Sequence, residues 1–237
     1  ITDYPYQTEK PAIDVGDITT TPPFVSSTLK YFYKFEPTDI NNGKLYNYAT
    51  RQNDANVNGN VTIDTTNYKL NGGSVYINNN EKSGSKYIAL QGKSVLNTKA
   101  QYIKAPPLKV SDFKDGISIS LWVYPIYTGN QNNIQDNIAF VCLFDSIGNE
   151  IALGHSNKQL YYSMQANNST ENDQELIPDN AWTHLAWTIS NDGTQSIYMN
   201  GKPIKLPPVT KGLSYSYSDD GEGGKVPIDS YDVWIGA

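Results

Sequence analysis

Trp182-Thr-His-Leu-Ala-Trp-Thr-Ile-Ser190, Asn191-Asp-Gly193 and Gln195-Ser-Ile-Tyr-Met-Asn-Gly-Lys-Pro-Ile204 follow one another along the chain, and their reading decides the fold. Asn200-Gly201 is the strongest short-range hairpin signal, because a two-residue turn that matches strand twist needs positive φ at both positions. Asn191-Asp-Gly193 closes a second hairpin, so the segment reads as a three-stranded antiparallel meander. Upstream, Ile117-Ser-Ile-Ser-Leu-Trp-Val-Tyr124 alternates strictly. Side chains on a strand point to opposite faces in turn. Ile117, Ile119, Leu121 and Val123 therefore share one face, and Ser118, Ser120, Trp122 and Tyr124 share the other.

Outward from this core the pattern repeats in short pieces. Leu29–Phe35 is a β-rich run stopped by Pro37 and Asn41-Asn-Gly43. Further strand candidates are Ser74–Asn78, Lys86–Leu90, Gln101–Lys104, Ile138–Phe144, Glu150–Leu153, Leu160–Gln165 and Asp232–Ile235. No twelve-residue stretch holds an apolar period of 3.6, so helices are not expected. Many short strands punctuated by Gly, Asn and Pro predict an all-β, two-sheet antiparallel jelly-roll sandwich over 28–237. Residues 1–27 carry Pro5, Pro11, Pro22 and Pro23 and read as an extended arm or linker, since proline withholds its donor from a sheet.

The 237 residues carry 18 Lys+Arg against 24 Asp+Glu, a net charge of −6. A nucleic-acid partner would call for a concentrated basic surface, so that class is set aside. Ile138–Phe144 is among the longest apolar runs, far short of the ~20 residues that span a bilayer as a helix. Cys142 lies within it with no partner in the chain and reads as a small buried hydrophobe rather than a nucleophile. The first residue is Ile1, so a processed form or a segment of a longer polypeptide is expected. Sequons at Asn60, Asn167 and Asn168 are weak signals in an Asn-rich chain.

The strand at 116–125, then Asn180–Ile189, then Ser196-Ile-Tyr-Met-Asn-Gly-Lys202 resemble the concanavalin A-like lectin/glucanase superfamily, most closely its laminin G-like, pentraxin-like branch. Phe32–Phe35, Gly73–Ile77 and Lys86–Leu90 are similar to its earlier strands, so the resemblance covers about 28–237. It implies a jelly roll. It also implies a further closing strand beyond Val233-Trp-Ile-Gly236, paired near the N-terminal strand, which the sequence to Ala237 lacks.

The superfamily includes glucanases with a Glu-x-Asp-x-Glu strand, whose alternation sets an acid and a nucleophile on one face. Glu171-Asn-Asp173-Gln-Glu175 has that pattern. Polar Asn172 and Gln174 and the preceding Ala166–Thr170 instead predict a solvated loop, so no catalytic residue is assigned. His184 is expected to pack or hydrogen-bond within its strand, and His155, beside Gly154, to be exposed. Calcium is a possible cofactor that the branch implies, with Asp39–Asn42, Asp145–Glu150 and Asp219–Glu222 as candidate loops. None has the spacing of a self-contained motif, so no metal ligand is named.

Glycan stacking needs exposed aromatic rings with polar neighbours. Tyr124, Tyr127, Tyr161 and Tyr162 lie near predicted strand ends and are the candidate ligand-binding residues. Trp122, Trp182, Trp187 and Trp234 match recurring family positions and are expected in the core. The reading is a non-catalytic module binding glycans or glycoproteins at an extracellular, cell or virion surface, with no nucleic-acid partner and no membrane insertion. The alternative is a structural or interaction unit bound to other chains of a larger assembly, such as a virion surface protein or adhesin. A glycoside hydrolase is the remote third.

Overall fold

The computed structural model describes residues 29–69, 72–77, 88–90, 93–95, 101–113, 116–126, 137–145, 150–156, 158–164, 169–190, 192, 194–206, 217–219 and 224–236. The expected arm at 1–27, and Tyr127, lie outside them. The early strands are β1 (Ile40–Asn41), β2 (Lys44–Asn47), β3 (Gln52–Asn58), β4 (Thr62–Asp64), β5 (Ser74–Tyr76), β6 (Ile88–Leu90) and β7 (Lys93–Val95). The middle of the chain gives β8 (Tyr102–Lys109), one 3-10 turn at Val110–Phe113, β9 (Ile117–Val123), β10 (Asn137–Phe144), β11 (Glu150–Ser156), β12 (Gln159–Met164) and β13 (Ser169–Leu176). Last come β14 (Thr183–Ile189), β15 (Gln195–Met199), β16 (Lys202–Pro203), β17 (Tyr217–Asp219), β18 (Lys225–Pro227) and β19 (Ser230–Ile235).

Two antiparallel sheets dominate. The larger runs β1-β2-β3-β8-β19-β10-β11-β12-β13 and the smaller β16-β15-β14-β9. The jelly-roll, all-β expectation holds. The predicted meander is β14-β15-β16, and its tight turn has φ 52° at Asn200 and 78° at Gly201. The core lies between the sheets. Leu185, Trp187, Ile189 and Ile197 of the smaller sheet meet Leu143, Ile151, Leu153, Leu160, Tyr162 and Val233 of the larger. Trp187 and Tyr162, both fully buried, meet edge to face at 6.3 Å between ring centroids. Each such ring removes a large apolar area from water, which is the main favourable term in the fold.

Leu29–Phe35 departs from expectation. It is extended and packs Tyr31, Tyr33 and Phe35 onto the core, yet among the described residues it joins no ladder. Its backbone is held instead by the side chain of Asn47, which accepts from Phe32 N at 3.0 Å and donates to Lys30 O at 3.1 Å. The Tyr48 amide donates to Phe32 O.

Glu171–Glu175 is a correction. The stretch expected to be a loop lies in β13, which pairs with β12 at the rim of the larger sheet, Glu171 opposite Tyr161. Alternating polar residues argue against a strand buried on both faces. They are compatible with a rim strand that has one neighbour and one wet side.

Candidate functional site

β9, β14 and β15 build the outer face of the smaller sheet. Their inward positions are apolar, and Gly116, at φ 101° beside Ile189 O, brings β9 tightly against β14. Outward, the register sets Trp122 beside His184, Ser120 beside Ala186, and Ala186 beside Tyr198. Trp122 and Tyr198 are each 38% exposed, and Tyr68 and Tyr76 somewhat more so. Trp122 and Tyr198 lie on strands two spacings apart and one cross-strand row out of line, about 12 Å from each other, with His184 and Ala186 between them.

Polar groups on this face are fixed. His184 Nε2 and Ser120 Oγ are 2.9 Å apart. The His184 amide donates to Asn200 Oδ1, and the Asn200 amide donates to His184 O, both at 2.9 Å. The His184 ring lies 5.0 Å from that of Trp122. The Lys69 ammonium sits 4.7 Å from the Trp122 ring centroid, arriving from the 64–69 loop. Asp64 organises that loop by accepting from Thr66 N, Thr66 Oγ1 and Asn67 N. These bonds lower the Asp64 carboxyl below its usual range, the Thr66 hydroxyl contributing most. Asn67 Oδ1 then accepts from Trp182 Nε1 at 3.2 Å, tying the loop to the sheet. Beyond Tyr198 an open groove of about 470 Å³ runs past Pro203 and Ile204 to Leu206.

The four predicted tyrosines are not brought together here. Tyr124 is half-buried at the end of β9, its ring 5.3 Å from Trp182. Tyr161 faces outward on the larger sheet, packed on the Cys142, Phe144 and Trp234 cluster, and its hydroxyl donates to Glu150. Burial, with the Glu150 charge behind it, raises that phenol above its usual range. Tyr162 is fully buried in the core and presents no ring to a ligand in solvent. Trp187 and Trp234 are buried as expected, but Trp122 is exposed and Trp182 half-buried. The alternation in Ile117–Tyr124 already placed Trp122 opposite the apolar face, and that is the signal which finds it.

His155 is also corrected. It is 2% exposed on β11 with its ring 5.7 Å from Phe140, and burial pushes its imidazole down to about 4. The turn after β11 leaves it inside because β10 and β12 flank it on both sides. Cys142 is free and fully buried, and desolvation raises its thiol well above the usual range. Asp39 is committed to the fold, Oδ1 accepting from the Tyr48 hydroxyl and Oδ2 from the Glu36 amide. Among the described residues no three His, Cys, Asp or Glu side chains gather as a metal site, and no helix is long and apolar enough to cross a membrane.

No curated protein sequence matches the chain. Among solved structures, "Cellulose induced protein, Cip1" is 14% identical, with 76% of this chain and 77% of that one covered and a TM-score of 0.46. The "Botulinum Neurotoxin Type G Receptor Binding Domain" is 17% identical at a TM-score of 0.48, covering 81% of this chain and 45% of that one. Domain 4 of AbnA, an extracellular arabinanase from Geobacillus stearothermophilus in complex with arabinotriose, is 16% identical over 77% and 82%, at 0.39. These likenesses are too distant to carry a function. The family model is more direct. It matches residues 97–221, more than half the chain and the whole of β8 to β17, and so the chain belongs to the Laminin_G_3 family of the concanavalin A-like lectin/glucanases superfamily.

Proposed function

We propose that the domain is a non-catalytic recognition module that binds glycans, free or on glycoproteins, at an extracellular or particle surface. The observation that supports it is the exposed Trp122 and Tyr198 pair on a sheet face whose polar groups are already oriented. Aromatic rings take the apolar faces of sugars, while fixed donors and acceptors read their hydroxyls. A separation of about 12 Å between the rings, oblique to the strands, suits an extended glycan crossing the face diagonally. Tyr124 and Trp182 continue the aromatic strip beyond Trp122. The test is a glycan array probed with the isolated protein, with calcium and again with chelator. Binding confined to one glycan class supports the reading, loss on chelation adds a metal to it, and a blank array under both conditions overturns it.

A second reading, a structural unit of a larger assembly, is favoured by one feature. Leu29–Phe35 and the outer side of β9 carry no ladder partner among the described residues. Open strand edges accept strands from neighbours. Sedimentation of the protein with and without residues 1–27 tests it. Arm-dependent association would support assembly, and a monomer in both cases would count against it.

A further inference from the structure

We propose that the glycan taken by the Trp122 face carries an isolated carboxylate, and that Lys69 is the residue that reads it. This rests on the glycan-binding reading of the same face. The 64–69 loop is fixed at Asp64 and at Asn67, and beyond those anchors the Lys69 ammonium lies over the Trp122 ring. Among the described residues, the two ion pairs are Lys30 with Asp112 and Lys104 with Asp232, so no described carboxylate pairs with Lys69. None of the outward positions of β9, β14 and β15 is a carboxylate or a second lysine.

An ammonium over an indole at an exposed site is a weak contact. A sugar ring can displace it from that face of Trp122 at small cost. The displaced ammonium then stands at the edge of the bound sugar, and a carboxylate there turns a lost contact into a charge-assisted hydrogen bond, among the stronger kinds. His184, hydrogen-bonded to Ser120, lies on the sheet beside the indole, while Lys69 reaches it from the loop, so the acidic group is read from the loop and the hydroxyls from the sheet. The chain as a whole carries −6, which opposes a dense polyanion such as a heavily sulfated chain. One carboxylate per sugar or per chain end, as in hexuronic or sialic acids, fits a single lysine in that field.

The test is an array of hexuronic- and sialic-acid glycans, each printed beside its methyl ester, which keeps the stacking faces and removes the charge. It is probed with the wild-type protein, Lys69→Gln and Trp122→Ala. The expected result is that acids bind about tenfold more tightly than their esters, as one such bond supplies. Lys69→Gln should erase that preference while keeping the ester-level binding, and Trp122→Ala should lose both. Equal binding of acid and ester with no response to Lys69→Gln would overturn the carboxylate assignment and leave glycan recognition intact. A blank array, acids and esters alike, would overturn both.

Discussion

Asn47→Ala should be among the most damaging single substitutions outside the apolar core. Asn47 is fully buried at the end of β2, and its amide uses every hydrogen-bonding position it has. Nδ2 donates to Lys30 O at 3.1 Å and to Asp54 Oδ2 at 3.0 Å. Oδ1 accepts from Phe32 N and from Ala49 N, each at 3.0 Å. At a net 0.5–1.5 kcal/mol per bond, and with the freed groups partly able to reach water, the loss is about 2–4 kcal/mol. For a domain of this size that lowers Tm by roughly 5–15 °C. The segment Leu29–Phe35 should loosen first, because two of the four bonds are its own. Thermal unfolding by circular dichroism gives the total, and hydrogen exchange at the Phe32 amide localises it. Asn47→Asp separates the roles, since it keeps the acceptors, loses the donors and adds a charge beside Asp54. It should cost at least as much at pH 7. A Tm change under about 2 °C for Asn47→Ala would refute the claim that this amide holds the segment.

Other consequences are direct. The His155 imidazole is depressed in the fold and ordinary when unfolded, so the unfolded chain binds the extra proton between about pH 6.5 and about 4. Stability should therefore be intact above that window and fall as pH drops through it, by about 3 kcal/mol in full. Melting at pH 7 and 4.5 measures this, and His155→Gln should flatten the dependence. Thr183 is fully buried and its hydroxyl has no hydrogen-bond partner among the described residues, so Thr183→Val should raise Tm by about 2–4 °C, as removing one unmet polar group predicts. Gly116→Ala places a methyl 2.2 Å from Ile189 O at a φ of 101°. It should separate β9 from β14 and cost at least about 2 kcal/mol, seen as a lower urea midpoint.

Much of the fold was legible because the signals were local. Asn200-Gly201 demands its turn, and the alternation in Ile117–Tyr124 assigns both faces of β9 without reference to the rest of the chain. β3 and β13 were not legible, since Gln52–Asn58 and Ser169–Leu176 are polar sequences whose strand state comes from their neighbours' ladders. Leu29–Phe35 shows the converse, with strong β propensity but a side-chain amide as backbone partner. Within the site, residue type misled at Trp122. A tryptophan at a recurring family position reads as core, while its place in the alternation says surface. Lys69 could not be found from sequence at all, because it lies 53 residues before Trp122 and reaches it through a loop. Tyr162 and His155 went the other way, as positions near strand ends that packing places inside.

The most direct test of glycan recognition compares the outer faces of the two sheets of one molecule. Calorimetric titration with the leading array glycan should be run on the wild type, on Trp122→Ala with Tyr198→Ala, and on Tyr161→Phe on the opposite sheet. The account predicts that the paired outer-face substitution abolishes heat of binding while Tm stays close to wild type, and that Tyr161→Phe binds normally. Binding that survives loss of both Trp122 and Tyr198 would contradict it.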